Sequence, residues 1–259
     1  MLKAYLQTFK KYSRLIMLLA HNQITLKYRK SYLGMLWSLL NPLLMILVLN
    51  FVFSSIFSRN IENFPVFLMC GRLIWDYHSE STKSAMGSIV GNSSLIKKIY
   101  VPKYAFPLSN SIAALVNMMF SLIALVIVMI FTHVQLRWTM LLFWVPMIYV
   151  FIFSTGLGLI LAALNVFFRD VKYLYGVFLT LWMYLSALFY PAESLSEEAQ
   201  QLIRFNPIFR YIDMMRGIIL YGVMPTIKDN VICLSVGIVV LAVGLILFKK
   251  AQGRFILHI

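Results

Sequence analysis

The stretch Lys27-Tyr28-Arg29-Lys30-Ser31-Tyr32-Leu33-Gly34-Met35-Leu36-Trp37-Ser38-Leu39-Leu40-Asn41-Pro42 opens with three positive charges in four residues and carries none from Leu33 onward. It feeds an apolar run that reaches Phe57. Cytoplasmic flanks of membrane spans retain Lys and Arg, so a basic cluster pressed against an apolar run orients the first span. Every later span inherits its direction from this one. Pro42 lacks a helical donor and crowds the preceding turn, which predicts a kink at Asn41-Pro42.

Composition supports the membrane reading. Of 259 residues 61% are hydrophobic and 12% charged, and the mean hydropathy is +0.83; a soluble domain carries about 25% charged residues. The expected fold is an all-α polytopic membrane protein. The net charge of +14 does not point to nucleic acid, because the basic residues cluster between apolar runs as they do at a cytoplasmic membrane face. Cys70 and Cys233 both lie in apolar segments, so no disulfide framework or metal spacing arises. The first 32 residues contain no apolar h-region, and no removable signal peptide is expected.

The chain divides into one transmembrane domain, 1–259, with an interfacial amphipathic segment at 1–32 and six spans at 33–57, 64–90, 105–131, 138–168, 173–190 and 230–248. Residues 191–229 are too short and too charged to cross and read as an external re-entrant segment. In the first segment Leu2, Tyr5, Leu6, Phe9, Tyr12, Ile16 and Leu19 share a helical stripe, with Lys3, Lys10, Lys11 and Arg14 mainly off it; such a helix lies in the membrane interface or offers a docking surface to a cytoplasmic partner. Asn92 or Ser93 is expected to cap a short helix ended by Pro102. Pro146, Gly156 and Gly158 are expected to break up the fourth span, and Ser154–Gly158 to permit close helix contact. Segments assigned to the inside hold fifteen basic residues against six outside, a positive-inside bias that puts both termini in the cytoplasm.

Arg72, Asp76 and Glu80 in the second span are spaced i, i+4, i+8 and form a ladder on one helix face. A charge at mid-membrane depth costs about 2.5–3.5 kcal/mol, so these must pair or face water; a structural ion ladder and the lining of a polar conduit both remain open. Enzyme motifs are missing. The sequence has no His-Glu-x-x-His and no Gly-x-x-x-x-Gly-Lys phosphate loop, so the chain has no ATPase motif of its own. Asp76-x-His78-x-Glu80 is a poor metal or acid–base site, because His78 points off the carboxylate face.

Arg29 to Pro42 resembles the approach to the first span in type-2 ABC exporter permeases of the polysaccharide branch, which export O-antigen, teichoic acid and capsule chains. Leu95-Ile96-Lys97-Lys98-Ile99-Tyr100-Val101-Pro102 resembles the family's segment between spans two and three, and Phe168-Arg169-Asp170-Val171 its Arg-Asp element between spans four and five. Asn206-Pro207 followed by Tyr211 to Gly217 is similar to its external re-entrant region. The ladder departs from the family by carrying more charge than its second span is expected to.

The resemblance implies a homodimer with two copies of a separate ABC ATPase subunit, which alone binds ATP and Mg. It implies a bacterial cytoplasmic (inner) membrane location and an undecaprenyl-pyrophosphate-linked polysaccharide as substrate; a type-2 exporter of a small amphiphile or drug is the alternative, and an intramembrane enzyme a more distant one. On this reading Leu95, Ile96, Lys97, Lys98, Ile99 and Tyr100, with Arg169 and Asp170, couple to the ATPase. Lys27, Arg29 and Lys30 hold either the substrate pyrophosphate or anionic membrane lipid. Tyr175, Phe178, Trp182 and Phe189 fall near one stripe of span five and offer flat rings either to sugar faces or to lipid. Residues 193–222 are the expected external gate.

Overall fold

The computed structural model describes the backbone of residues 2–29, 31–57, 61, 63–99 and 101–259, and the side chains of 12–29, 31–53, 61, 63–99 and 101–259. Lys30, Tyr100 and the side chains of Leu2, Lys3, Tyr5, Leu6, Phe9, Lys10 and Lys11 lie outside the described residues. All regular structure described is helical. The helices are α1 (Leu2–Tyr28), α2 (Leu36–Phe57), α3 (Phe64–Gly91), α4 (Ser93–Lys98), α5 (Ala105–Phe131), α6 (Trp144–Phe167), α7 (Val171–Tyr184), α8 (Glu197–Arg204), α9 (Pro207–Arg216), α10 (Ile227–Ala251) and α11 (Phe255–His258).

The stretch from Lys27 to Pro42 is a helix–turn–helix junction. Gly34 sits at φ +50°, a left-handed conformation that side-chain-bearing residues avoid. The turn delays α2 to Leu36, three residues after the start expected from hydropathy. Helix α2 then runs through Pro42 to Phe57. Helix α1 is more than an interfacial float, since Ile16, Ala20 and Ile24 are buried and the last two pack on Ala113 of α5.

Four described stretches, Leu36–Phe53, Ala105–Phe131, Trp138–Phe167 and Ile227–His258, are long and apolar enough to cross a membrane. Helix α3 has the length, 28 residues, but carries the charged ladder. It forms the centre of the bundle, packed against α2, α5, α6, α7 and α9. Helix α7 has 14 residues, or about 21 Å. It ends at Tyr184, so Phe189 is not on the helical stripe predicted for it, and Ala187 at φ +47° marks the turn away.

Pro146 and the glycines do not interrupt α6. Pro146 lies in its first turn, where its missing donor is not needed. Gly156 and Gly158 serve close approach instead: a Cβ on Gly156 would lie 2.5 Å from the Leu241 backbone of α10, and one on Gly158 2.8 Å from Ala85 of α3. Gly244 of α10 faces the Gly156 carbonyl in the same way, so the small-residue patch fixes the α6–α10 crossing.

Two helix ends differ from expectation. Asn92 does not cap α4 with its side chain; its amide donates to Ser88 O at 2.7 Å and closes α3 instead. Thr226 does cap α10, accepting from Asp229 N at 3.1 Å, which starts that helix at Ile227 rather than Asn230. The last residues pack onto the bundle. Phe255 of α11 is buried with Ile96, Phe106, Val166 and Phe248 in a separate apolar cluster.

Candidate functional site

The junction and the ladder meet in one place. Lys27, Tyr28, Ser31, Trp37, Ser38, Asn41 and Pro42 line a groove with Arg72, Asp76, Ser79, Glu80, Lys83, Asn117 and Ser121, enclosing about 740 Å³. Lys27 Nζ donates to Glu80 Oε1 at 2.6 Å, and Asn117 Nδ2 donates to the same oxygen at 2.8 Å. Arg72 Nη2 contacts Asp76 Oδ2 at 3.1 Å, one turn along α3. The ladder is paired but not sealed, because the Asp76 and Glu80 side chains are 41% and 36% exposed. Partial burial of Lys27 opposes its charge, yet the hydrogen bond and charge of Glu80 outweigh this and raise its pKa. Arg29 is exposed on the turn outside this pair.

The ladder's opposite face is buried in the bundle. His78 is fully buried, with Nδ1 2.8 Å from Ser154 Oγ; it faces away from Asp76 and Glu80, as its spacing requires. No group of three metal-ligating side chains occurs among the described residues.

A second surface forms at the α4 end of the bundle. Ile96 is buried and anchors α4, while Lys97, Lys98 and Ile99 are exposed and Leu95 packs at the edge of the same cluster. Arg169 and Asp170 are exposed immediately after α6, whose last turn contributes Val166 and Phe167 to that cluster. The two predicted coupling segments therefore share one end. Lys103 Nζ donates to Gln252 O at 2.6 Å, and burial lowers its pKa.

The aromatic residues divide. Tyr175, Phe178 and Trp182 form a run with ring centres 6.2 Å and 5.1 Å apart. Tyr175 is buried and donates to Thr82 Oγ1 at 2.7 Å. Trp182 meets His78 edge-on at 4.9 Å and donates its indole N–H to Asn206 Oδ1 at 2.9 Å. Phe189 stands apart, stacked on Phe53 of α2 at 5.3 Å.

Two residues of the α7–α9 corner were missed as organisers. Asn206 Oδ1 also accepts from Ile208 N, and its Nδ2 donates to Leu185 O and Ser186 Oγ, each at 3.0 Å; the Asn-Pro pair is a legible cap signal. Arg216 is buried and donates to Phe67 O, Ala187 O and Leu188 O at 3.3, 3.0 and 2.9 Å, with its guanidinium 3.4 Å from the Phe67 ring centre. It ties α9 to α3 through carbonyls, which no sequence pattern announces.

Residues 14–220 fit the ABC-2 type transporter family, and the chain belongs to that family. It is similar to the O-antigen export system permease protein RfbA of Klebsiella pneumoniae, 27% identical with 93% of each chain covered. RfbA of Myxococcus xanthus is 28% identical over 94% of this chain and 95% of its own. The polysialic acid transport protein KpsM of Escherichia coli is 22% identical over 89% and 90%.

Proposed function

We propose that this chain is the membrane subunit of an ATP-driven exporter that moves an undecaprenyl-pyrophosphate-linked polysaccharide out across the bacterial inner membrane. The observation that carries this is the end-to-end similarity to O-antigen and polysialic acid exporters, on a chain without a phosphate loop. Six spans are reached by counting α3, which pairs its charges, and the shorter α7 beside the four long apolar stretches. Helices α8 and α9 form the re-entrant external segment, and both termini are cytoplasmic by the charge rule.

The roles follow from placement. Lys97, Lys98, Arg169 and Asp170 present exposed charge around an anchored short helix, the form needed to seat in a groove of a separate ATPase subunit that binds ATP and Mg. Lys27, with Arg29 and Lys30, meets the pyrophosphate at headgroup depth. Homodimerisation belongs to the same reading: two copies facing across the exposed apolar residues of α2 (Leu44, Leu47, Val48, Phe51) and α7 (Leu174, Val177, Leu181) would enclose a conduit between them. Deleting the chain should leave lipid-linked glycan inside the cell and none outside, restored by the gene in trans. Normal surface glycan in the deletion strain would refute the reading.

A further inference from the structure

The groove over Arg72, Asp76 and Glu80 holds more hydrogen-bonding capacity than the fold consumes. Asp76 keeps an open carboxylate beside Arg72 and both contacts to Glu80 fall on Oε1, while Asn117 Oδ1 is buried at the groove wall without a partner. Ser79, Asn41 and Lys83 line the same space. A ladder that served packing alone would be covered by its neighbours, since unshared charge at membrane depth is costly.

The chemistry of the lining selects a ligand. Three cations (Lys27, Arg72, Lys83) face two anions, and both anions are already paired inside the groove. A net charge of one remains, on Lys83, less than a pyrophosphate group carries. What remains is an alternation of carboxylate acceptors with amide and hydroxyl groups that both donate and accept, the pattern that vicinal sugar hydroxyls satisfy. Trp37, 41% exposed, and Tyr28 add ring faces at the rim. Glu80 to Arg72 spans about 12 Å along α3, and 740 Å³ holds a short oligosaccharide rather than one ion.

We propose that this groove binds the sugars next to the lipid phosphate, through Asp76, Asn117, Ser121 and Asn41, as the substrate passes the Lys27 rim. The inference rests on the export reading above and adds a glycan site outside the aromatic run of α7. A photoreactive phenylalanine analogue placed at Ser79 or, separately, at Ser121 tests it in the full chain, in cells that make the lipid-linked glycan. Irradiation should yield a glycan-bearing adduct at either site, and background yield at Ile123, which is 50% exposed on α5 outside this groove. Cells making the lipid anchor without sugars should give no glycan adduct, and Asn117→Leu combined with Asp76→Asn should lower the yield at least tenfold. If one analogue prevents assembly, the other decides. Adducts with phospholipid alone, while export still depends on the chain, would overturn the groove assignment and leave the export function standing; export that persists without the chain refutes the function itself.

Discussion

The indole N–H of Trp182 donates to the Asn206 carbonyl oxygen, 2.9 Å away, and so ties the last turn of α7 to the first of α9. A residue expected to offer its ring either to sugar or to lipid is thereby also a structural pin. Trp182→Phe removes the hydrogen bond and keeps most of the ring packing, whereas Trp182→Ala removes both. Thermal unfolding in detergent should rank them wild type, then Phe, then Ala, with Phe about 1 kcal/mol below wild type. Equal stability for all three would show that the pin carries no load and return Trp182 to a purely lining role.

Arg216 is a buried cation held by three carbonyls and one ring. Arg216→Met keeps the volume of the stem but orphans Ala187 O and Leu188 O, each at about 1–3 kcal/mol, while Phe67 O, inside α3, keeps its helical partner. The variant should accumulate poorly and be cut by an external protease within 185–216. Arg216→Lys should rescue only in part, since one ammonium cannot reproduce the planar fork.

Exposed Lys97 and Lys98 contrast with buried Ile96 on the same six-residue helix. Lys97→Glu with Lys98→Glu should leave expression and melting temperature unchanged while uncoupling ATP hydrolysis from export. Ile96→Asp should instead destabilise the fold. Unaltered export from the double charge reversal would remove α4 from the coupling path.

The Lys27–Glu80 pair separates geometry from ligand binding. Because both side chains are partly exposed, breaking the pair should cost no more than about 1 kcal/mol of stability. Exchange of the two charges, Lys27→Glu with Glu80→Lys, restores the pair but not the cation at the rim. Export should therefore stay low in the exchanged protein if Lys27 meets the pyrophosphate, and recovery to wild-type export would assign the pair a structural role only.

Much of this architecture is written locally. Basic clusters, apolar runs and the Ser154–Gly158 patch announce the bundle and its tightest crossing, and Asn206-Pro207 announces the start of α9. The ladder's spacing predicted a shared face, but not what faced it; that required Lys27, Asn41 and Asn117 from three other helices. Hydropathy overran the start of α2 because it does not register the left-handed Gly34, and it overran α7 because the apolar residues after Tyr184 turn away at Ala187. Arg216 was invisible for another reason: its partners are backbone carbonyls, which every residue possesses.

The contact of Gly156 with the α10 backbone reaches beyond the bundle interior. Helix α10 lies past the family-matched region, yet it is seated against α6 without intervening side chains, and its continuation buries Phe255 beside Ile96. Helix α11 is therefore fixed next to the surface proposed to meet the ATPase. A fluorescent protein or purification handle placed at α11 would crowd that surface and mimic a coupling defect. Labels are better introduced near Val223 and Met224, which are exposed in the segment linking α9 to α10.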